Sequence, residues 1–249
     1  MDGPRILWTI PILGGITITQ TTLTSWIAMI LIMIIAWILS RNLSVDKPSG
    51  KQIILEKVVG MLYDLVESTM GKHNLHFAPY IGALFLSSIF GTLLGMTNIL
   101  RSATADLSTT AAWAIATTLL TWYGGIRNNG FFGWLKGFSE PVAVMTPMNI
   151  VSELANPISM SFRHFGNIAG GAVLTSLIYS ALAALSAFLL QWIPVKLLNT
   201  IPIFQLGIPA FLSIYFDLFS GFVQALVFSM LTMVYVGGAF PPKENTLKS

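Results

Sequence analysis

The chain has 249 residues, of which 54% are hydrophobic and 9% are charged, and its net charge is +3. This composition excludes a soluble globular domain and is typical of a membrane protein. The small, scattered positive charge excludes a nucleic-acid-binding surface, and the absence of cysteine excludes disulfides and cysteine-based metal or redox sites. The N-terminal residues lack the basic start and compact apolar core of a signal peptide, so we expect the chain to insert by its own spans.

The first seventy residues predict a tail, one membrane span and one surface helix. Residues 1–20 contain two prolines and are expected to form an irregular tail or to lie at the membrane interface. Residues 21–39 carry no charge and are long enough for a first span. After a polar loop, residues 52–70 alternate apolar with charged side chains, which favours an amphipathic helix on the membrane surface.

Two further spans follow, joined by a polar connection. Residues 77–100 predict a second span, whose glycines permit close helix approach, and residues 109–126 predict a third. Asp106 precedes the third span and can cap it near Ser108. That structural role and a role at the mouth of a channel are equally compatible with the sequence. The glycine- and aromatic-rich residues 127–140 predict an interfacial connection.

The last two predicted helices are too long to stand upright in a bilayer. Residues 146–190 would span about 65 Å and residues 208–240 about 50 Å at 1.5 Å per residue, against a hydrocarbon core of about 30 Å. Each must tilt or break, with Pro157 as the expected bend, while the proline-containing residues 192–209 form a connector. We therefore predict an all-α integral membrane protein with about five membrane-crossing helices and an amphipathic surface helix, the last two crossings being long and steeply tilted.

A permanent positive charge lies within the first long helix. Polar or small residues recur there at steps of three or four, which places them on one face: Asn149, Ser152, Glu153, Asn156, Ser159, Arg163, Asn167, Gly170 and Gly171. Arginine cannot lose its proton, and its burial in a bilayer costs roughly 3 to more than 10 kcal/mol. A structural pair with Glu153 is disfavoured because ten helical residues span about 15 Å. Arg163 therefore indicates an ion or substrate path.

The last helix carries a second polar group. Asp217, Gly221 and Gln224 share one face by their spacing of four and three. A carboxylate that exchanges a proton would suit a relay, although Asp217 could instead lie at the interface near the start of the helix. Gln224 could donate a hydrogen bond that holds Arg163 in place.

These segments match a known family. The run PMNIVSELANPISMSFRHFGNIAGG resembles the signature region of subunit a of the F-type ATP synthases, and TADLSTT and VQALVFSMLTMVYV resemble two of its other motifs. The resemblance covers about residues 77–240. It implies a non-catalytic stator subunit without a cofactor, placed beside the rotating c ring and assembled with subunit b of the peripheral stalk and the rest of the synthase. The two long helices would then lie tilted against the ring.

The resemblance also implies residue roles. Arg163, Asn167 and Gln224 match the family's arginine, asparagine and glutamine, whereas the acidic residue that some members carry nine positions after the arginine is here Ala172. We interpret this as a transfer of the outer half-channel's acidic group to Asp217, and leave open which half-channel Glu153 serves. The expected ion-translocation residues are Arg163, Asp217, Glu153, Asn167, Gln224, Ser159 and Asp106.

Charge placement predicts the orientation. With five crossings and an outside N-terminus, nine basic residues lie inside: Arg41, Lys47, Lys51, Lys57, Lys72, Arg127, Lys136, Lys243 and Lys248. Three lie outside: Arg5, Arg101 and Lys196. The positive-inside rule thus favours an outside N-terminus and a cytoplasmic C-terminus in a bacterial inner membrane. The expected ion is H⁺. Subunit a coupled to Na⁺ and a secondary ion transporter are the alternatives, although no second copy of the Arg163 region occurs.

Overall fold

The computed structural model describes residues 5–11, 16–45, 48–96, 100–190 and 214–242. Six α-helices occur in these ranges: α1 (Gln20–Leu39), α2 (Gly50–Met70), α3 (Ala78–Met96), α4 (Leu107–Gly137), α5 (Thr146–Leu190) and α6 (Ser220–Ala239). Short 3-10 turns precede α3, α4 and α5 at Lys72–Phe77, Ala103–Ala105 and Ala143–Met145, and a π-helical segment, Ile214–Phe219, leads into α6. The predicted helical membrane fold is confirmed.

Four of the described helices are long and apolar enough to cross a membrane, namely α1, α3, α5 and α6. The predicted third span lies within α4, whose threonines make it less apolar than the others. Thr110 and Thr117 are buried because α4 packs against both α5 and α6, and Thr117 Oγ1 lies 3.2 Å from Thr232 Oγ1 of α6. Polar side chains are tolerated in this helix because neighbouring helices satisfy them.

The structure differs from the sequence prediction in two places. Residues 127–140 are predicted as an interfacial connection, and the first eleven of them, 127–137, continue α4 with a break at Gly130 (φ 70°, ψ 165°). The aromatic residues stabilise this extension, since the ring of Trp134 lies 6.1 Å from that of Trp122. The N-terminal residues form an antiparallel hairpin, β1 (Ile6–Ile10) and β2 (Ile16–Thr19), rather than an irregular tail. Its strands are rich in isoleucine and threonine, which favour extended backbone.

The long helices have the expected extents where they are described. Helix α5 begins and ends where the sequence predicts, and Pro157 lies within it without interrupting it. The predicted connector 192–209 falls outside the described residues, as does the first part of the predicted last helix. Residues 214–239 are helical throughout.

Two buried clusters hold the bundle together. One joins α2, α3 and α6 and consists of Val66, Met70, Ala78, Ile81, Met233 and Val236. The other lies where α3, α4, α5 and α6 meet and consists of Leu84, Ala114, Met160 and Phe228. The second cluster is one helical turn from Arg163 on α5, so it fixes the depth at which the candidate site lies.

The C-terminal end of α6 is anchored by Phe240. Asn74 Nδ2 donates to the Phe240 carbonyl oxygen at 2.9 Å, and His73 Nε2 lies 2.8 Å from the same oxygen. The Phe240 ring packs 5.1 Å from that of Phe77 and against Gly124 of α4. This end of α6 is therefore tied to α4 and to the turn before α3.

Substituting Gly124 with alanine is expected to destabilise this anchor. An added Cβ would lie 2.5 Å from Cε2 of the Phe240 ring, which is held by its own contacts and cannot simply move away. Overpacking of this kind costs about 1–3 kcal/mol and would lower the temperature at which the purified protein unfolds. Gly60→Ala in α2 is the matched control, because nothing lies within 4 Å of the added carbon. Equal stability of the two variants would contradict the prediction.

Candidate functional site

Helix α5 presents two different faces at the level of Arg163. Ser159, Arg163 and Asn167 are exposed, as the predicted polar stripe requires, whereas Met160, His164 and Ile168 are buried against the other helices. Apolar side chains flank the stripe, with Ile158 57% and Phe162 54% exposed. An apolar surface of this kind in a membrane protein contacts lipid or another subunit.

Arg163 makes no hydrogen bond or ion pair with any residue that the structure describes. The predicted hydrogen bond from Gln224 is therefore wrong for the isolated chain. Gln224 is buried in α6, 6% exposed, whereas the arginine lies on the outer face of α5. The Nε2 atom of Gln224 is itself without a partner among the described residues. A guanidinium on an apolar membrane surface is costly unless an anion or water outside the described residues compensates its charge.

Asn167 links α5 to α6 close to Arg163. Its Nδ2 atom donates to the carbonyl oxygen of Ser220 at 3.5 Å, the long limit for such a bond. One residue further along α6, Gly221 lets that helix approach α3, since a Cβ there would lie 2.7 Å from Cγ2 of Thr92. Asn167 and Arg163 are both exposed on α5, one helical turn apart. The close approach at Gly221 depends on Thr92, which is distant in the sequence.

Glu153 lies beside a polar cavity at one end of the bundle. Trp122 Nε1 donates to Glu153 Oε1 at 2.7 Å, and the carboxylate is half-buried. The cavity has a volume of about 570 Å³ and lies where α4 and α6 end and α5 begins. Its polar lining, in addition to Glu153, is Thr121, Asn128, Asn129, Asn149, Ser152 and Tyr235. A carboxylate beside amide and hydroxyl groups provides a place where water and a cation can enter.

Asp106 lies at the opposite end. Its Oδ1 accepts a hydrogen bond from the Ser108 backbone at 3.0 Å, which confirms the predicted N-cap of α4, and Thr21 of α1 donates to its Oδ2. Partial burial raises the pKa of this carboxyl group, but the hydrogen bonds from Ser108 and Thr21 outweigh that effect and hold the pKa below its usual value of 3.8. Asp106 is therefore a firmly ionised group that joins α1 to α4.

The backbone of Asp217 belongs to the π-helical segment that precedes α6, and its side chain lies outside the described part of the structure. Its predicted role therefore remains a prediction. Position 172, which is Ala172 in this chain, is exposed on α5.

Two buried polar residues near Arg163 were not expected to interact. His164 is fully buried, and its Nε2 atom lies 3.0 Å from Ser88 Oγ of α3. The sequence gives no signal for this pairing, because the two residues lie 76 positions apart.

Known proteins resemble this chain along nearly its whole length. The family model described as ATP synthase A chain matches residues 22–237. The chain is 34% identical to the sodium-ion-specific ATP synthase subunit a of Propionigenium modestum, over 98% of this chain and 87% of that protein. It is 32% identical to ATP synthase subunit a of Legionella pneumophila, over 93% of this chain and 91% of that protein. It is 31% identical to ATP synthase subunit a of Moorella thermoacetica, over 90% and 92% respectively.

The family match includes the polar stripe of α5, the cavity residues from Thr121 to Tyr235 and α6 up to Gly237. ATP synthase subunit a is part of a multi-subunit complex, so an exposed Arg163 on the outer face of a membrane helix is compatible with a contact to another subunit. The chain therefore belongs to the family of ATP synthase subunit a, the ion-translocating and non-catalytic subunit of the Fo membrane sector.

Proposed function

We propose that this chain conducts protons to and from a ring of c subunits through two offset half-channels, with Arg163 facing the ring carboxylates. The single observation that carries the proposal is the exposed Arg163, which has no hydrogen-bond or ion-pair partner among the described residues. It lies on a polar stripe that runs from the cavity beside Glu153 to Asn167. A passing carboxylate would supply the missing anion.

The electrostatics make this arrangement a switch. A ring carboxylate surrounded by lipid keeps its proton, because desolvation raises its pKa. Opposite Arg163, at about 4 Å and an effective dielectric constant near 20, the attraction is about 4 kcal/mol, which corresponds to about three pKa units. The ring site therefore loses its proton beside the arginine and regains one before it returns to lipid. Arg163 also blocks direct passage between the half-channels.

We assign the cytoplasmic half-channel to the cavity beside Glu153. The positive-inside rule places the ends of α4 and α6, and the start of α5, on the cytoplasmic side, and the cavity lies at that end of the bundle. The outer half-channel would lie at the other end, with Asp217 as its carboxylate and Asp106 near its mouth. Each elementary charge that crosses 100 mV supplies about 2.3 kcal/mol, so several ions are needed per ATP.

The complex would contain this chain in a bacterial inner membrane, next to the c ring and the subunit b stalk. Sodium is the second candidate ion, because the relative from Propionigenium modestum is named as sodium ion specific. A cavity lined by oxygen atoms would admit either ion. The choice is expected to depend on the site in the ring rather than on this chain.

Ion pumping in inverted membrane vesicles that contain the complex tests the function and identifies the ion. Proton pumping predicts that added ATP acidifies the vesicle interior and that a protonophore abolishes the acidification. Sodium pumping predicts instead that ATP drives uptake of labelled Na⁺, that a sodium ionophore collapses it and that a protonophore does not. Complexes that hydrolyse ATP without moving either ion would contradict the proposal.

A further inference from the structure

His164 is a fully buried imidazole immediately beside the candidate coupling arginine. It is 0% exposed, and it is enclosed by three other helices of the bundle. Ser88 Oγ of α3 lies 3.0 Å from its Nε2, while the rings of Trp113 on α4 and Phe228 on α6 meet it edge-on at 6.0 and 5.3 Å. Because it faces away from the exposed stripe, it lies outside the path that the proposed function uses.

Within two helical turns of Arg163, the hydrogen bond between His164 and Ser88 is the shortest of those described for side chains that join α5 to another helix. The Asn167 bond to Ser220 is 3.5 Å long, and the bond from Tyr235 to Asn156 is 3.4 Å long. The hydrogen bond from Trp122 to Glu153 is shorter, at 2.7 Å, but Glu153 lies ten residues before the arginine, on the other side of Pro157. Proline removes one backbone hydrogen bond of the helix. A contact before Pro157 therefore constrains the orientation of Arg163 less than a contact after it does.

The orientation of α5 decides where the guanidinium points. Neighbouring residues on an α-helix lie about 100° apart, so fixing the buried His164 also fixes the exposed Arg163. A rotation of about 20° moves a point at the outer radius of a helix by about 2 Å. That displacement is enough to lengthen an ion pair well beyond contact. Breaking a buried hydrogen bond leaves its groups unsatisfied, so a polar pair opposes rotation more selectively than apolar packing does.

We propose that His164 is a positioning residue, whose buried hydrogen bond to Ser88 sets the rotation of α5 and so aims Arg163 at the ring carboxylates. The inference rests on the proposed function. Ser88 is the partner in this hydrogen bond, and it lies on α3, which contributes residues to both buried clusters.

A set of five variants tests the pair. His164→Leu and Ser88→Ala each remove the hydrogen bond, and the double variant removes both partners. His164→Gln keeps a side-chain amide that can reach the serine hydroxyl. Ser161→Ala is the matched control, since this serine is also buried in α5 but donates within its own helix to Ile158 at 2.9 Å.

The first measurement is the number of ions pumped per ATP hydrolysed by the assembled complex. We expect His164→Leu and Ser88→Ala each to lower this ratio about tenfold, because misplacement by an ångström or two is that costly for charge-dependent steps. The double variant should be no worse than either single change. His164→Gln and Ser161→Ala should keep most of the parent ratio. A parent-level ratio in Ser88→Ala, or effects that multiply in the double variant, would overturn the proposal.

A second measurement reports the rotation directly. Because the chain has no cysteine, a cysteine placed at Ser159 or at Phe162 is unique in it and can be cross-linked to a cysteine beside the ring carboxylate. With His164→Leu the ratio of the cross-linking yields at Ser159 and Phe162 should change, whereas general destabilisation would lower both yields together. An unchanged ratio of yields would exclude a positioning role. The parent complex separates failure of this inference from failure of the proposed function. If α5 did not face the ring, the parent complex would give no cross-link at Ser159 either.

Discussion

Replacing Arg163 with alanine is expected to abolish ATP-driven ion pumping. Without the guanidinium, a ring carboxylate opposite α5 loses an attraction worth about three pKa units, so its ionised population falls about a thousandfold. The ring then reaches the half-channels with its protons still bound. Pumping in inverted vesicles should fall to background, and passive proton leak through the membrane sector should rise because the block between the half-channels is gone.

The complex should still assemble in that variant. Arg163 is exposed and has no hydrogen-bond or ion-pair partner among the described residues, so its removal leaves no buried group of this chain unsatisfied. Arg163→Lys tests charge alone, since lysine keeps the positive charge without the planar fork. Arg41→Ala is the control, because that arginine follows the C-cap of α1 and stacks at 4.4 Å over Trp37. Normal pumping by the Arg163→Ala complex would refute the assigned role.

The sequence predicts those parts of the fold that depend on periodicity. The bounds of α5 follow from a segment that has no charge after Arg163 and no helix breaker except Pro157. The exposed side of Arg163 follows from its four-residue spacing to Ser159 and to Asn167. Both properties are local. The amphipathic α2 is predictable for the same reason, with its N-terminus extended by two residues from 52 to Gly50 because Ser49 caps it.

The features that the sequence does not predict depend on distant partners. Ser88 and His164 meet across 76 positions, and Thr21 reaches Asp106 across 85. A single sequence contains no record of which polar residues pair. The wrong expectation for Gln224 has the same origin. The sequence predicts which face of α6 carries Gln224, but not the direction in which that face packs. Residues 127–140 are rich in glycine, which disfavours helix, but aromatic contacts stabilise a helical extension of α4 there.

Glu153→Gln and Asp217→Asn are expected to slow ion exchange on opposite sides of the membrane. Each change keeps the size of the side chain and removes its titratable charge. In Glu153→Gln the amide oxygen can still accept the hydrogen bond from Trp122, so the cavity keeps its shape while its carboxylate is lost. Loss of a proton-accepting group at the proposed cytoplasmic entrance should reduce pumping about tenfold or more.

Side-specific pH dependence separates the two carboxylates. The cytoplasmic face of an inverted vesicle points outward, so the pumping rate of Glu153→Gln should change its dependence on external pH and keep its dependence on internal pH. Asp217→Asn should behave the other way round. Glu67→Gln is the control, since that carboxylate forms an exposed ion pair with Lys72 at 3.5 Å, and such pairs contribute little. If Glu153→Gln instead altered the response to internal pH, the cavity would serve the outer half-channel and the assigned orientation would be reversed. If both variants matched the control, Arg163 would act between pathways that need no fixed carboxylate.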